Sequence, residues 1–371
     1  MIRKGEDMEE IRFKILDTLT RDLSSGTSIN ELTGNIGKLY NSAHYTAYYK
    51  TIYDKIHELE KQNIISLAKI GNVSIPRINF DNYLTIDFLT EMELRKKQTF
   101  LEKNTETGML FLEIETYFKE FYFIKSISII DPEKNIKLNR AEFLFILNGL
   151  YEHKEKPGLQ EAIQNEIAQI YSIMEMLQRI HNIKLDYLIL NKKEFTELLK
   201  REETNPLKEM LSNKVAFFAP QAFWVDIKTI LSEGIQIKAI EETNPAKIAE
   251  QDLIYNLIRF GYKEFGPRIK EGKKICIETI ITSLLLRNNA RRIQIIPTLL
   301  AKNRYNYNSL IFLCKKYNKL EKLFGLIRGL NKIKPSTETE TAIKMIEAMG
   351  IKEEKIDEKS IKQKMELYNA I

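Results

Sequence analysis

Nine basic residues lie between Arg287 and Lys322: Arg287, Arg291, Arg292, Lys302, Arg304, Lys315, Lys316, Lys319 and Lys322. Tyr305, Tyr307 and Tyr317 are interleaved with them. Guanidinium and ammonium groups hold phosphates, and aromatic rings stack on bases, so this mixture suits contact with RNA or single strands. The wider stretch 259–334 carries 18 Lys and Arg against 4 Asp and Glu, net +14. Residues 1–100 are neutral, with 14 of each sign, and residues 101–250 carry 19 basic against 24 acidic, net −5. The 371-residue chain as a whole is only +6. Loss of acids from one segment predicts a surface for nucleic acid or another polyanion. The competing expectation is a solvated Lys-rich face, with the tyrosines packed at the edge of a helical bundle.

Other chemistries find little support. Four His and two Cys, Cys276 and Cys314, exclude a Cys₄ zinc site, a His-rich metal site and a disulfide framework. There is no P-loop, no Gly-x-Gly-x-x-Gly and no His-Glu-x-x-His. The acidic pairs Glu202-Glu203 and Glu241-Glu242 fall in polar loops beside Asn-Pro, and Trp224 reads as a core residue. No catalytic residue, metal ligand or cofactor is therefore assigned. No apolar run approaches eighteen residues, which predicts no membrane span. The start, Met1 to Asp7, leads into no apolar segment, so a cytoplasmic location is expected.

The elements that must position the basic and aromatic residues begin with helices. Ile11, Ile15, Leu16 and Leu19 share one face of a helix over 8–19. Ser28 with Glu31 three residues on predicts a capping box for a second helix, which buries Ile29, Leu32, Ile36 and Leu39. After Asn41-Ser42, a third helix from about His44 to Gln62 carries Tyr45, Tyr49, Ile52, Ile56 and Leu59 at helical spacing. Two short apolar runs around Gly71-Asn72 predict a hairpin. This order, with Leu59-Glu60-Lys61 closing the third helix, resembles archaeal-type winged helix-turn-helix proteins. The resemblance implies that the third helix meets the major groove through Tyr45, Thr46, Tyr48 and Lys50, with Lys69, Asn72 and Arg77 on the wing. The third helix is electrically neutral, which also fits a protein-docking or dimerisation module.

The middle section alternates differently. Residues 121–130, 141–148, 185–190 and 215–218 read as strands, with a polar turn over 131–140 and a helix over 160–181. A charged helix over 87–104, a break at Thr105 to Gly108 and an amphipathic helix over 109–121 precede them. The order over 121–231 resembles nucleotidyltransferases, in which a Gly-Ser turn approaches a triphosphate and Ser-Asp-x-Asp holds magnesium. Here Asp131-Pro132 stands in place of Gly-Ser, and Asn139-Arg140-Ala141-Glu142 in place of Ser-Asp-x-Asp. The resemblance thus implies the fold without the chemistry. An enzyme reading would rest on Glu142 and Asp186 alone.

The C-terminal third is helical. The run Arg291 to Leu330, with Phe324-Gly325-Leu326-Ile327, loosely resembles the C-terminal helices of abortive-infection antitoxin-type regulators. Lys334 to Thr341 reads as a linker, and residues 343–371 as a charged tail helix or hairpin available to a protein partner or a second copy. The expected class is α+β and predominantly helical. Its expected parts are a winged helix over 1–95, an inactive nucleotidyltransferase-like α/β domain over 96–245, a basic helical bundle over 246–334 and the tail over 335–371. The function expected is non-catalytic binding of nucleic acid, as a DNA-binding regulator. The alternatives are a factor for structured RNA or the ribosome and a divergent magnesium-dependent nucleotidyltransferase.

Overall fold

The computed structural model describes residues 8–24, 26–40, 45–148, 157–238, 240, 242–262 and 269–370. The chain is α+β and mostly helical. Helices α1 (Met8–Arg21), α2 (Ile29–Leu39) and α3 (Tyr45–Lys61) precede an antiparallel hairpin of β1 (Ile65–Ile70) and β2 (Val73–Ile78). Ser28 and Glu31 form both halves of the expected capping box. Asn63 takes the left-handed conformation, φ 60°, that turns α3 into the hairpin. Ile15, Leu16, Leu32, Ile36, Ile52, Ile56, Leu59 and Ile65 bury together. Leu39, expected inside, is exposed, and so is Tyr49, which shares helical spacing with Ile52, Ile56 and Leu59 but lies at the edge of the buried stripe they form. The expected helix start at His44 and the Asn41-Ser42 break lie outside the described residues.

A continuous helix, α4 (Leu84–Lys103), crosses the boundary expected at residue 95. It lies against β6 (Lys214–Phe218) and α10 (Pro220–Ser232). Charged contacts join it to α1 and to β6. Lys96 Nζ meets Asp17 Oδ1 at 2.6 Å and Glu93 Oε2 at 3.6 Å, and donates to the Lys214 carbonyl at 2.7 Å. Tyr40 Oη and Arg21 complete the shell around Asp17. The N-terminal unit is therefore fastened to the sheet through a charged contact. The expected break at 105–108 is reduced to Asn104, since α5 (Thr105–Phe118) starts at once.

The sheet comprises β3 (Ile124–Ile130), β4 (Arg140–Leu147), β5 (Lys184–Asn191) and β6, in the order β5-β4-β3-β6. β3 runs antiparallel to β4 and β6, and β4 parallel to β5. The turn expected over 131–140 contains a short helix, α6 (Pro132–Lys137). The parallel pair is joined through α7 (Pro157–His181), as a crossover requires. Alternation sorts the side chains. Phe143, Phe145 and Leu147 pack with Phe111 and Phe118 of α5 and Tyr171 and Met174 of α7. Leu144, Ile146, Leu188 and Leu190 pack on the other face with α8 (Lys192–Lys200), α9 (Pro206–Leu211) and α10. Trp224 is fully buried on that side, as expected.

The C-terminal third holds α11 (Glu250–Arg259), α12 (Ile277–Arg287), α13 (Ala290–Ile293), α14 (Ile296–Lys302), α15 (Tyr307–Lys316), α16 (Leu320–Ile333), α17 (Thr337–Ala348) and α18 (Glu358–Leu367). The helix expected from Lys273 starts only at Ile277. The linker expected after Lys334 is a helix instead. Ser336 and Thr339 cap α17 reciprocally, and Ala342, Met345 and Ile346 are buried in the core of the bundle. Residues 335–370 thus belong to the bundle. Apolar spacing at Ala342, Met345 and Ile346 outweighs the polar run that precedes it.

Candidate nucleic-acid interface

The N-terminal unit presents one face of α3 and the hairpin to solvent. Lys50 on α3, Lys69 on β1, Asn72 at the turn and Arg77 on β2 are all exposed. None of these three cations has an ion pair among the described residues. Tyr45, Thr46 and Tyr48 form the first turn of α3. The carboxylates of this unit are largely engaged. Glu9 pairs with Arg12 and Arg95, Glu10 with Lys14, Asp17 with Lys96 and Arg21, Glu58 with Lys55 and Glu60 with His57. Glu31 is held in its capping box.

The C-terminal basic residues are distributed otherwise. Lys315 donates to Glu175 Oε1 at 2.5 Å. Lys316, only 8% exposed, meets Glu242 Oε1 at 2.6 Å and Glu142 Oε2 at 3.0 Å. Arg287 and Arg292 converge on Glu250, and Lys302 donates to the Tyr368 carbonyl. Arg291 and Arg304 are exposed without an ion pair among the described residues. The expectation of Lys315 and Lys316 on a polyanion-binding face is thereby corrected, because both point into the protein against carboxylates. The +14 stretch is answered by acids outside it: Glu142, Glu175, Glu203 and Glu242 from the middle section, and Glu347, Glu353, Glu354 and Glu358 beyond it. Tyr305, Tyr307 and Tyr317 pack against the core. Burial pushes the Tyr305 and Tyr317 hydroxyls up to about 12.

The two carboxylates of the sheet are neighbours. Glu142 on β4 stands opposite Asp186 on β5 in the parallel register. Both belong to the sheet face covered by Phe312 and Leu313 of α15. Arg140 lies 3.1 Å from Glu142, and Lys316 holds its other oxygen. Neither oxygen of Asp186 accepts a hydrogen bond among the described residues, and the nearest ammonium, that of Lys184, is 3.9 Å away. Burial pushes the Asp186 carboxyl up to about 6. Burial works against the charge of Lys316, but Glu142 and Glu242 together hold its ammonium above the usual lysine range. Glu242 is held down at about 2: Lys316 and Lys134 outweigh its desolvation. No group of three or more His, Cys, Asp or Glu arranged to hold a metal ion occurs among the described residues.

An aromatic stripe on α3 escaped the sequence reading. Tyr49 and Tyr53 are 37% and 40% exposed, with ring centroids 6.0 Å apart. Tyr53 meets His57 edge to face at 4.4 Å. The signal was the i, i+4, i+8 spacing, which Tyr49 shares with the core stripe closely enough to be grouped with it. No helix among the described residues is long and apolar enough to cross a membrane. Comparison with known protein families, with curated proteins and with solved structures gives no match for this chain.

Proposed function

We propose that the chain is a non-catalytic nucleic-acid-binding protein of the cytoplasm, and that its contact surface is the N-terminal helix–helix–helix–hairpin unit, used in the manner of a winged helix. The observation that carries this is the set of cations on that unit: Lys50, Lys61, Lys69 and Arg77 are exposed without an ion pair among the described residues, while most of its carboxylates are paired, Glu58 and Glu60 within α3 itself. Free cations on one face supply the sequence-independent part of nucleic-acid affinity. Arg291 and Arg304 extend the candidate cations to the C-terminal bundle. A DNA-binding regulator is the first form of this reading, and a factor for structured RNA is the second.

The test is a titration of the full chain with duplex DNA and with folded RNA across salt. Binding that weakens steeply with salt supports the reading. On duplex DNA, each of Lys50→Gln, Lys69→Gln and Arg77→Gln is expected to flatten the log–log salt slope by about 0.9. Failure to bind either nucleic acid overturns the reading.

A nucleotidyltransferase reading draws on one observation, the pairing of Glu142 with Asp186 across two strands. Against it, cations of the chain itself, Arg140 and Lys316, already occupy Glu142. Magnesium-dependent label transfer from a nucleoside triphosphate, lost in Glu142→Ala, is the result that would favour it.

A further inference from the structure

We infer that the ligand of the α3 face is a single strand with its bases unstacked, held by stacking on Tyr49 and Tyr53. This deepens the nucleic-acid reading above and rests on it. Reading base edges in a major groove takes side chains that exchange hydrogen bonds with those edges. The exposed middle of α3 instead offers two phenol rings, tilted by 31° with centroids 6.0 Å apart. Duplex bases repeat at about 3.4 Å. Rings at nearly twice that spacing match bases that have been drawn apart, one on each ring.

Tyr53 is fixed before any ligand arrives. Its ring and that of His57 meet edge to face with centroids 4.4 Å apart, and His57 Nδ1 is held by Glu60 at 2.9 Å. A ring already oriented loses little freedom when a base stacks on it. Lys50 and Lys61 on the same helix, and Lys69 and Arg77 on the hairpin, are exposed without an ion pair among the described residues. Asp54 on α3 is exposed, and Glu58 and Glu60, paired with Lys55 and His57, keep side chains 45% and 39% exposed. At the hairpin turn, Ile70 and Val73 present apolar surface beside Asn72, which offers an apolar contact to a base and little to a phosphate. Exposed rings and unpaired cations on one unit are the two elements of sequence-tolerant single-strand binding, stacking and backbone neutralisation.

The test uses the full chain with two fluorescein-labelled probes, a 15-nucleotide oligothymidine and a blunt mixed-sequence duplex, followed by anisotropy. The oligothymidine is expected to bind more tightly than the duplex. Tyr49→Ala and Tyr53→Ala are each expected to weaken it at least about five-fold, while Tyr49→Phe and Tyr53→Phe keep wild-type affinity and the duplex affinity changes little. Both rings are exposed, so circular dichroism of the alanine variants is expected to match the wild type. A duplex that binds more tightly than the single strand, or alanine variants with wild-type affinity for oligothymidine, overturns the single-strand inference and leaves the broader reading standing. Absence of binding to both probes overturns the two together.

Discussion

Glu142 and Asp186 face each other across two parallel strands, yet only one of them is answered. Lys316 and Arg140 take the two oxygens of Glu142, whereas Asp186 accepts no hydrogen bond among the described residues. A buried carboxylate that loses its buried ammonium keeps a desolvation cost that Arg140, on the other oxygen, offsets only in part. Lys316→Met is therefore expected to destabilise the protein by about 3–5 kcal/mol in urea unfolding. The double variant Glu142→Gln/Lys316→Met recovers a good part of that loss, because no unpaired charge stays behind at Glu142. A double variant no more stable than Lys316→Met would refute the assignment.

Asp186 makes stability depend on pH in a definite direction. Its folded carboxyl binds the proton more tightly than the unfolded one, so stability falls as pH rises from about 4 to about 6. Buried Glu194 and Glu209, each raised by burial to about 7, extend the fall to pH 7. Lys214 works in the opposite sense: burial lowers it to about 8, so stability returns as pH rises from about 8 towards 10.5. Chemical denaturation across pH is expected to show a trough between roughly pH 7 and pH 8. After the cost of burying an amide, Asp186→Asn is expected to gain about 1–2 kcal/mol at pH 7 and to be slightly less stable than the wild type at pH 4, where the native carboxyl is protonated.

Asp17 and Lys96 set the mounting of the candidate interface. Lys96→Met leaves Asp17 buried without its nearest ammonium. Hydrogen exchange is expected to quicken across α1 and α2 and at α4 around residue 96, while β4 and β5 stay protected. Uniform loss of protection across the chain would show that the N-terminal unit does not open separately.

Two glycines in α16 discriminate between backbone and side-chain crowding. A Cβ at Gly325 would collide with the Glu354 carbonyl oxygen, and one at Gly329 with the tip of the Ile356 side chain. Overpacking of this kind costs about 1–3 kcal/mol. Gly325→Ala is expected to cost more than Gly329→Ala, since a carbonyl cannot rotate aside as Ile356 Cδ1 can. Tryptic cleavage at the exposed Lys352 and Lys355 should accelerate in Gly325→Ala first.

Local features were legible in the sequence and long-range pairing was not. The Ser28–Glu31 box, the Gly71-Asn72 hairpin and the Ile127/Ile129 alternation are written within a few residues of each other. The opposition of Glu142 and Asp186 depends on a register set across α7, which no local pattern encodes. Lys315 and Lys316 looked like surface cations because their partners, Glu175, Glu142 and Glu242, lie some 70 to 170 residues away. Tyr49 was grouped with the core because position 49 borders the stripe through Ile52 and Ile56. The start of α17 was missed because five Thr and Glu residues precede the buried Ala342, Met345 and Ile346.

The charge segregation along the chain also has a consequence for its synthesis. Translation delivers the acidic middle section well before the basic third, and domains generally fold as they emerge, N-terminal ones first. Glu142 and Glu175 must then wait for Lys316 and Lys315. Until α15 leaves the ribosome, the sheet holds carboxylates it cannot bury at low cost. A nascent chain halted near residue 300 should therefore have a folded N-terminal unit and an unfinished sheet, with completion of the sheet timed by the arrival of two consecutive lysines.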